Sequence, residues 1–185
     1  MAGWKVKVLN VVATGFLNHP LDLRVVREKI KGVYGTPKFP SVTLKMRNPK
    51  ATVSIFESGK IICAGGRSLS EAFTALRRIH KILVDAGAIP PNSKPKLEVR
   101  NIVASATLPG AFIDVEKASR ELPGAVYVPE QFPAARYKPQ GVNVSFLLYS
   151  SGKVICAGAK SVEELVKAIE VLHEELEEQG LLIHP

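Results

Sequence analysis

The chain has 185 residues, 46% hydrophobic and 23% charged, enough apolar content for a core in one domain or two small ones. Its net charge of +8 is uneven: residues 1–92 hold 15 of the 25 lysines and arginines but only 5 of the 17 acidic residues, which favours polyanion partners and suggests that the two halves meet different ones. No apolar run reaches bilayer-spanning length, residues 1–8 alternate basic and apolar types instead of forming a signal-peptide block, and there is no low-complexity tract, so we read a soluble intracellular protein.

Residues 6–13 alternate and are rich in β-branched types, which predicts a strand. After Pro20 and Asp22, the spacing of Leu23, Val26 and Ile30 predicts a helix over 21–31. Residues 43–46, 52–56 and 60–63 read as three strands, with turns at Asn48-Pro49 and Ser58-Gly59. A long helix follows over 69–86. Ser68 and Glu71 supply its capping box, Gly87 its stop, and Ala72, Ala75, Leu76, Ile79 and Leu83 one apolar stripe.

The pattern then repeats. Phe39-Pro40, Ser58-Gly59-Lys60 and Ile62-Cys63-Ala64-Gly65 recur 93 residues later as Phe132-Pro133, Ser151-Gly152-Lys153 and Ile155-Cys156-Ala157-Gly158. Asn10-Val11-Val12-Ala13 recurs 91 residues later as Asn101-Ile102-Val103-Ala104, so the second copy carries two extra residues near 108–113. We therefore expect two pseudo-symmetric repeats, 1–92 and 93–185, sharing one continuous sheet. About five strands and two helices per copy predict an α+β fold: a ten-stranded antiparallel sheet with four helices on one face and the other face open to a ligand.

On that open face, Ser54 and Phe56 alternate with Val53 and Ile55, and Ile62 and Ala64 with Ile61 and Cys63. Both sets include apolar residues, so a second cover is needed, and the minor groove of DNA offers an apolar floor. Lys45, Lys60 and Arg67, matched by Lys138, Lys153 and Lys160, together with Ser58 and Ser151, ring this face and suit two phosphate strands. Cys63 and Cys156 lie between apolar neighbours without a CxxC pair, and the four histidines are scattered, so buried thiols and no metal are expected. His80 and His173 hold matching helix positions beside the apolar stripe and read as structural. With no Gly-rich phosphate loop and no nucleophile beside a base, we expect no enzyme and no cofactor.

The runs PKFPSVTLKMRNPKATVSIFESGKIICAGGRS and VPEQFPAARYKPQGVNVSFLLYSSGKVICAGAKS, with the strand openings LNVVA and RNIVA, resemble the repeated core of the TATA-binding-protein family over residues 6–180. The absence of a long polar N-terminal extension looks archaeal. The resemblance implies a saddle-shaped, non-catalytic minor-groove binder that bends a promoter TATA box; insertion of apolar wedges is a mode of which this family is the standard example. The matching wedge positions are Phe39 and Phe56 in the first repeat, Phe132 and Tyr149 in the second. Asn10 and Asn101 would reach groove acceptors, and Val12, Ile62, Val103, Leu147 and Ile155 would line the floor. Ala64 and Ala157 stand where the family usually has threonine, Tyr149 replaces phenylalanine, and Ala135-Arg136 replace two aliphatics.

The implied partners are promoter double-stranded DNA, transcription factor B through the loop 127–131 (Tyr127 and Glu130, with Val128 replacing an acidic residue) and the RNA polymerase machinery. No membrane association is implied, and a DNA-free homodimer through the apolar underside is expected. The resemblance places such a protein on the nucleoid of an archaeal cell, or in a eukaryotic nucleus. An alternative stays open: a divergent paralogue of the family that works mainly as a protein-interaction platform with relaxed DNA choice.

Overall fold

The two runs of alternating residues that open the copies fold as the longest strands of the protein. The computed structural model describes residues 3–35, 38 and 40–185. In chain order the elements are β1 (Lys5–Phe16), α1 (Leu23–Lys29), β2 (Val33–Tyr34), β3 (Ser41–Arg47), β4 (Lys50–Phe56), β5 (Lys60–Gly66), α2 (Leu69–Asp85), β6 (Lys96–Thr107), β7 (Phe112–Ile113), α3 (Val115–Glu121), β8 (Ala135–Tyr137), β9 (Ser145–Leu148), β10 (Lys153–Ala159), α4 (Val162–Glu178) and β11 (Leu182–Ile183). Residues gather into two compact units, Asn10–Arg100 on the one hand and Met1–Leu9 with Asn101–Pro185 on the other, so β1 and β6 each give a segment to both.

Among the described residues nine strands are paired in the order β2-β3-β4-β5-β1-β6-β10-β9-β8, and β7 pairs with β11 separately. The expected tenth strand is a single bridge. Val126, the counterpart of Val33, exchanges N–H···O bonds with Arg136 at 2.9 and 2.8 Å, and pairing stops there. Gly124 just before it has φ +78°, and Pro129 just beyond has no N–H to donate. The β7–β11 pair was not anticipated; it follows the two-residue insertion of the second copy.

The predicted stripe of α2 is the buried one: Ala72, Ala75, Leu76, Ile79 and Leu83 pack onto β5 and β4. Each of the larger three contributes about 2 kcal/mol by leaving water. Ser68 Oγ accepts from the Glu71 N–H at 3.1 Å while the Glu71 carboxylate accepts from the Arg67 N–H at 2.8 Å, a reciprocal cap. The helix closes with the Ala88 N–H on the Leu83 carbonyl at 2.9 Å. In the other unit α4 repeats all of this with Leu165, Ala168, Ile169, Leu172 and Leu176, capped by Ser161 and Glu164.

Cys63 and Cys156 lie on the helix-covered face, and burial pushes their thiols up to about 11 and about 12. The two matching histidines each have a hydrogen-bond partner within the protein. His80 Nε2 contacts the Ser93 carbonyl at 2.8 Å, and the Trp4 indole N–H donates to His173 Nδ1 at 3.3 Å. No helix among the described residues is long and apolar enough to cross a membrane.

Candidate nucleic-acid interface

In each unit the sheet face turned away from the helices is built by alternation along the strands, interrupted at bulges. In the Asn10–Arg100 unit Val53, Ile55, Ile61 and Cys63 are buried, while Ser54, Phe56, Ile62 and Ala64 are half-buried on the opposite face. Register puts Ser41 across from Phe56, Thr43 across from Ser54, and Ser54 across from Ile62. Val12 is half-buried on the same side of β1. In the other unit Val103, Leu147, Ile155 and Ala157 are the half-buried set, with Leu147 across from Ile155 and Ala157 across from Val103. These seven predicted floor residues thus lie on the open side of their own unit.

The two asparagines are held alike. Asn10 Oδ1 accepts the Gly65 N–H at 2.7 Å, and Asn101 Oδ1 accepts the Gly158 N–H at 2.7 Å. Both glycines sit at a bulge, with φ +101° and +113°, where the register with β1 or β6 shifts. With each amide oxygen turned to a backbone donor, each amide NH₂ is oriented away from it as a donor for further contacts. It is a pure donor, and the minor-groove edge of an A·T pair offers only acceptors.

Phe56 ends β4 half-buried. Phe132 is 37% exposed and meets Tyr149 edge-on, with 6.4 Å between ring centroids. The fourth predicted wedge, Phe39, lies outside the described residues. Arg136, directly across from Leu147, is exposed and brings a cation onto the apolar face of the second copy.

Among the described residues none of the six predicted phosphate-binding cations makes an ion pair. Lys45 lies over the Tyr34 ring at 5.9 Å from its centroid. Lys60 starts β5 across from Phe16, Lys153 starts β10 across from Thr107, and Lys138 follows β8 exposed. Arg67 and Lys160 stand one step outside the strands, at the reciprocal caps of α2 and α4. Ser58 and Ser151 are exposed at the hairpin turns, where Ser58 Oγ accepts from the Lys60 N–H at 3.4 Å. In the loop 127–131 Tyr127 is half-buried and Glu130 exposed; the Gln131 and Phe132 N–H groups both close on the Val128 carbonyl at 3.0 Å.

Sequence reasoning passed over one cluster on the open face of the Asn10–Arg100 unit. The Arg100 Nε–H donates to Thr14 Oγ1 at 3.3 Å, and Arg100 Nη2 lies 3.5 Å from Glu98 Oε2. The 91-residue offset that links Asn10 to Asn101 also links Leu9 to Arg100, and that mismatch was the available signal.

Comparison with known proteins follows the same lines. The profile of the family described as "Transcription factor TFIID (or TATA-binding protein, TBP)" matches residues 5–86 and 96–179. The chain is 37% identical over 180 residues to the TATA-box-binding protein of Aeropyrum pernix, covering 97% of this chain and 88% of that one. Against the TATA-box-binding protein of Archaeoglobus fulgidus it is 37% identical over 185 residues, covering 98% and 100%. The solved structure of Methanococcus jannaschii TBP matches with a TM-score of 0.86 at 32% identity, over 94% of this chain and 99% of that one.

Proposed function

The chain belongs to the TATA-binding-protein family of DNA-binding transcription factors, and on that premise we propose that it is a general initiation factor that binds and bends the promoter minor groove and nucleates assembly with transcription factor B and RNA polymerase. The observation that carries this reading is the matched pair of asparagines, each with its oxygen tied to a glycine N–H and its NH₂ without a hydrogen-bond partner among the described residues. An NH₂ donor accepts A·T in either orientation and meets the guanine amino group badly.

Phe39 and Phe56 act as wedges at one end of the site, Phe132 and Tyr149 at the other. Unstacking the bases there costs a few kcal/mol, offset by the extra surface that bent DNA wraps. Lys45, Lys60, Arg67, Lys138, Lys153 and Lys160, with Ser58 and Ser151, hold the two phosphate strands. Tyr127 and Glu130 contact transcription factor B. The chain does this by binding, without catalysis and without a cofactor.

The test is binding and bending of a short TATA-containing duplex against a scrambled, A·T-matched one across a salt series. Six phosphate contacts predict a slope of log K against log salt of roughly −5. Asn101→Asp keeps the acceptor for the Gly158 N–H and loses the free donor, so TATA affinity is expected to fall at least about ten-fold. A second reading is favoured by Arg136 on the open face and by the missing hydroxyls at Ala64 and Ala157: a family paralogue serving mainly as a protein-interaction platform. Weak, unbent binding without TATA preference, unchanged by Phe132→Ala, would replace the first reading with that one.

A further inference from the structure

Comparing the two units position by position, through the 91-residue offset, exposes an inequality on the open face. In the Asn10–Arg100 unit, Lys96, Glu98 and Arg100 occupy one side of β6, and Leu97 and Val99 the other; a Cβ at Gly15 would meet Leu97 and Leu76 on the helix side. Glu98 lies between two cations, 3.3 Å from Lys96 Nζ and 3.5 Å from Arg100 Nη2. Thr14, in register with the half-buried Ile62, is only 3% exposed and accepts the Arg100 Nε–H. The guanidinium is therefore held by one hydrogen bond to Thr14 and an ion pair with Glu98, with 45% of the side chain exposed and further N–H groups on its outer edge.

In the other unit the counterparts are Lys5, Lys7 and Leu9, with Ser105 in place of Thr14. Leu9 is 40% exposed and, like Lys5 and Lys7, alternates with the more buried Val6 and Val8. One unit thus carries a seated arginine fork, while the other carries an exposed leucine at the equivalent position.

We propose that Arg100, seated by Glu98 and Thr14, is a specificity-determining residue that makes the two halves of the DNA-binding face unequal and so sets the direction in which the protein lies on a nearly two-fold symmetric site. This rests on the minor-groove reading above. Both base-pair orientations of A·T present only acceptors, which suit the arginine donors, whereas G·C adds the guanine amino donor in their way. Leucine asks for no acceptor. The Arg100 half therefore takes the purely A·T half of a site, and the Leu9 half takes the half that carries a G·C pair. Glu98 is a positioning residue: it holds the fork and does not itself have to meet the DNA.

The experiment uses a near-palindromic A·T duplex with one G·C pair in one half. A DNA-cleaving iron chelate is attached to a cysteine introduced as Gln140→Cys, an exposed position, while the two native cysteines are buried. The side of the duplex that is cut reports the orientation. The full chain is expected to favour one direction by about five-fold or more, the range of one good base contact. Arg100→Leu brings the ratio towards one, and Leu9→Arg, which leaves Arg100 in place, does the same by equalising the halves. The exchange Leu9→Arg with Arg100→Leu reverses the ratio. Bound protein whose ratio starts at one, or stays unchanged in all three variants, overturns the proposal and leaves the minor-groove reading standing. A wild-type chain that does not bind the duplex overturns both.

Discussion

Cys63 and Cys156 occupy equivalent points of β5 and β10 under α2 and α4, and both are fully buried. An unfolded thiol titrates near about 8.5, whereas burial raises the folded groups to about 11 and about 12. A group whose folded pKa is raised contributes stability that is complete below the unfolded value and is lost as pH climbs through the folded one. At pH 10 the loss is about 2 kcal/mol per thiol. Urea unfolding at pH 8 and pH 10 should therefore show a steeper alkaline loss for the wild type than for Cys63→Ala with Cys156→Ala; parallel losses would contradict it. At this scale the burial was legible from the apolar neighbours on either side. The locks on Asn10 and Asn101 were not, because their partners Gly65 and Gly158 lie more than fifty residues away.

At the scale of elements, helices were the easiest to read, since caps and stripes are local in sequence. The apolar stripes of α2 and α4 match across the repeat, while their outer faces diverge: Arg77 and Lys81 are replaced by Glu170 and Glu174. Packing dictates one side of these helices and leaves the other free to differ in charge. The hairpins depend on a less visible constraint. A Cβ on Gly59 would strike the His19 carbonyl, and one on Gly152 the Ala111 carbonyl; both glycines have positive φ, +90° and +86°. Gly59→Ala and Gly152→Ala are each expected to cost at least about 2 kcal/mol in urea unfolding, with an unchanged m-value. A change under about 0.5 kcal/mol would show that the turn relaxes freely. The SGK repeat marked these turns in the sequence, but the close approach of the chain after β1 and β6 did not show there.

For the whole molecule, the open faces bear on solution behaviour. Val12 and Ile62 in one unit, Leu147 and Ile155 in the other, stay half-buried with no cover of their own. A DNA-free protein is expected to dimerise through these faces, with sedimentation showing a concentration-dependent dimer that a TATA duplex dissolves. A strict monomer at high concentration would rule this out. The sequence alone determined the duplication, the helix stripes, the face assignment of the strands and the family, because periodicity and spacing are written along the chain. Tertiary structure decided what depends on contacts between distant segments: the tenth strand reduced to a bridge at Val126, the β7–β11 pair, and the seat of Arg100 on Thr14, 86 residues away. Alternation says which side of a strand a residue is on. Only the register of its neighbours says which group it meets there.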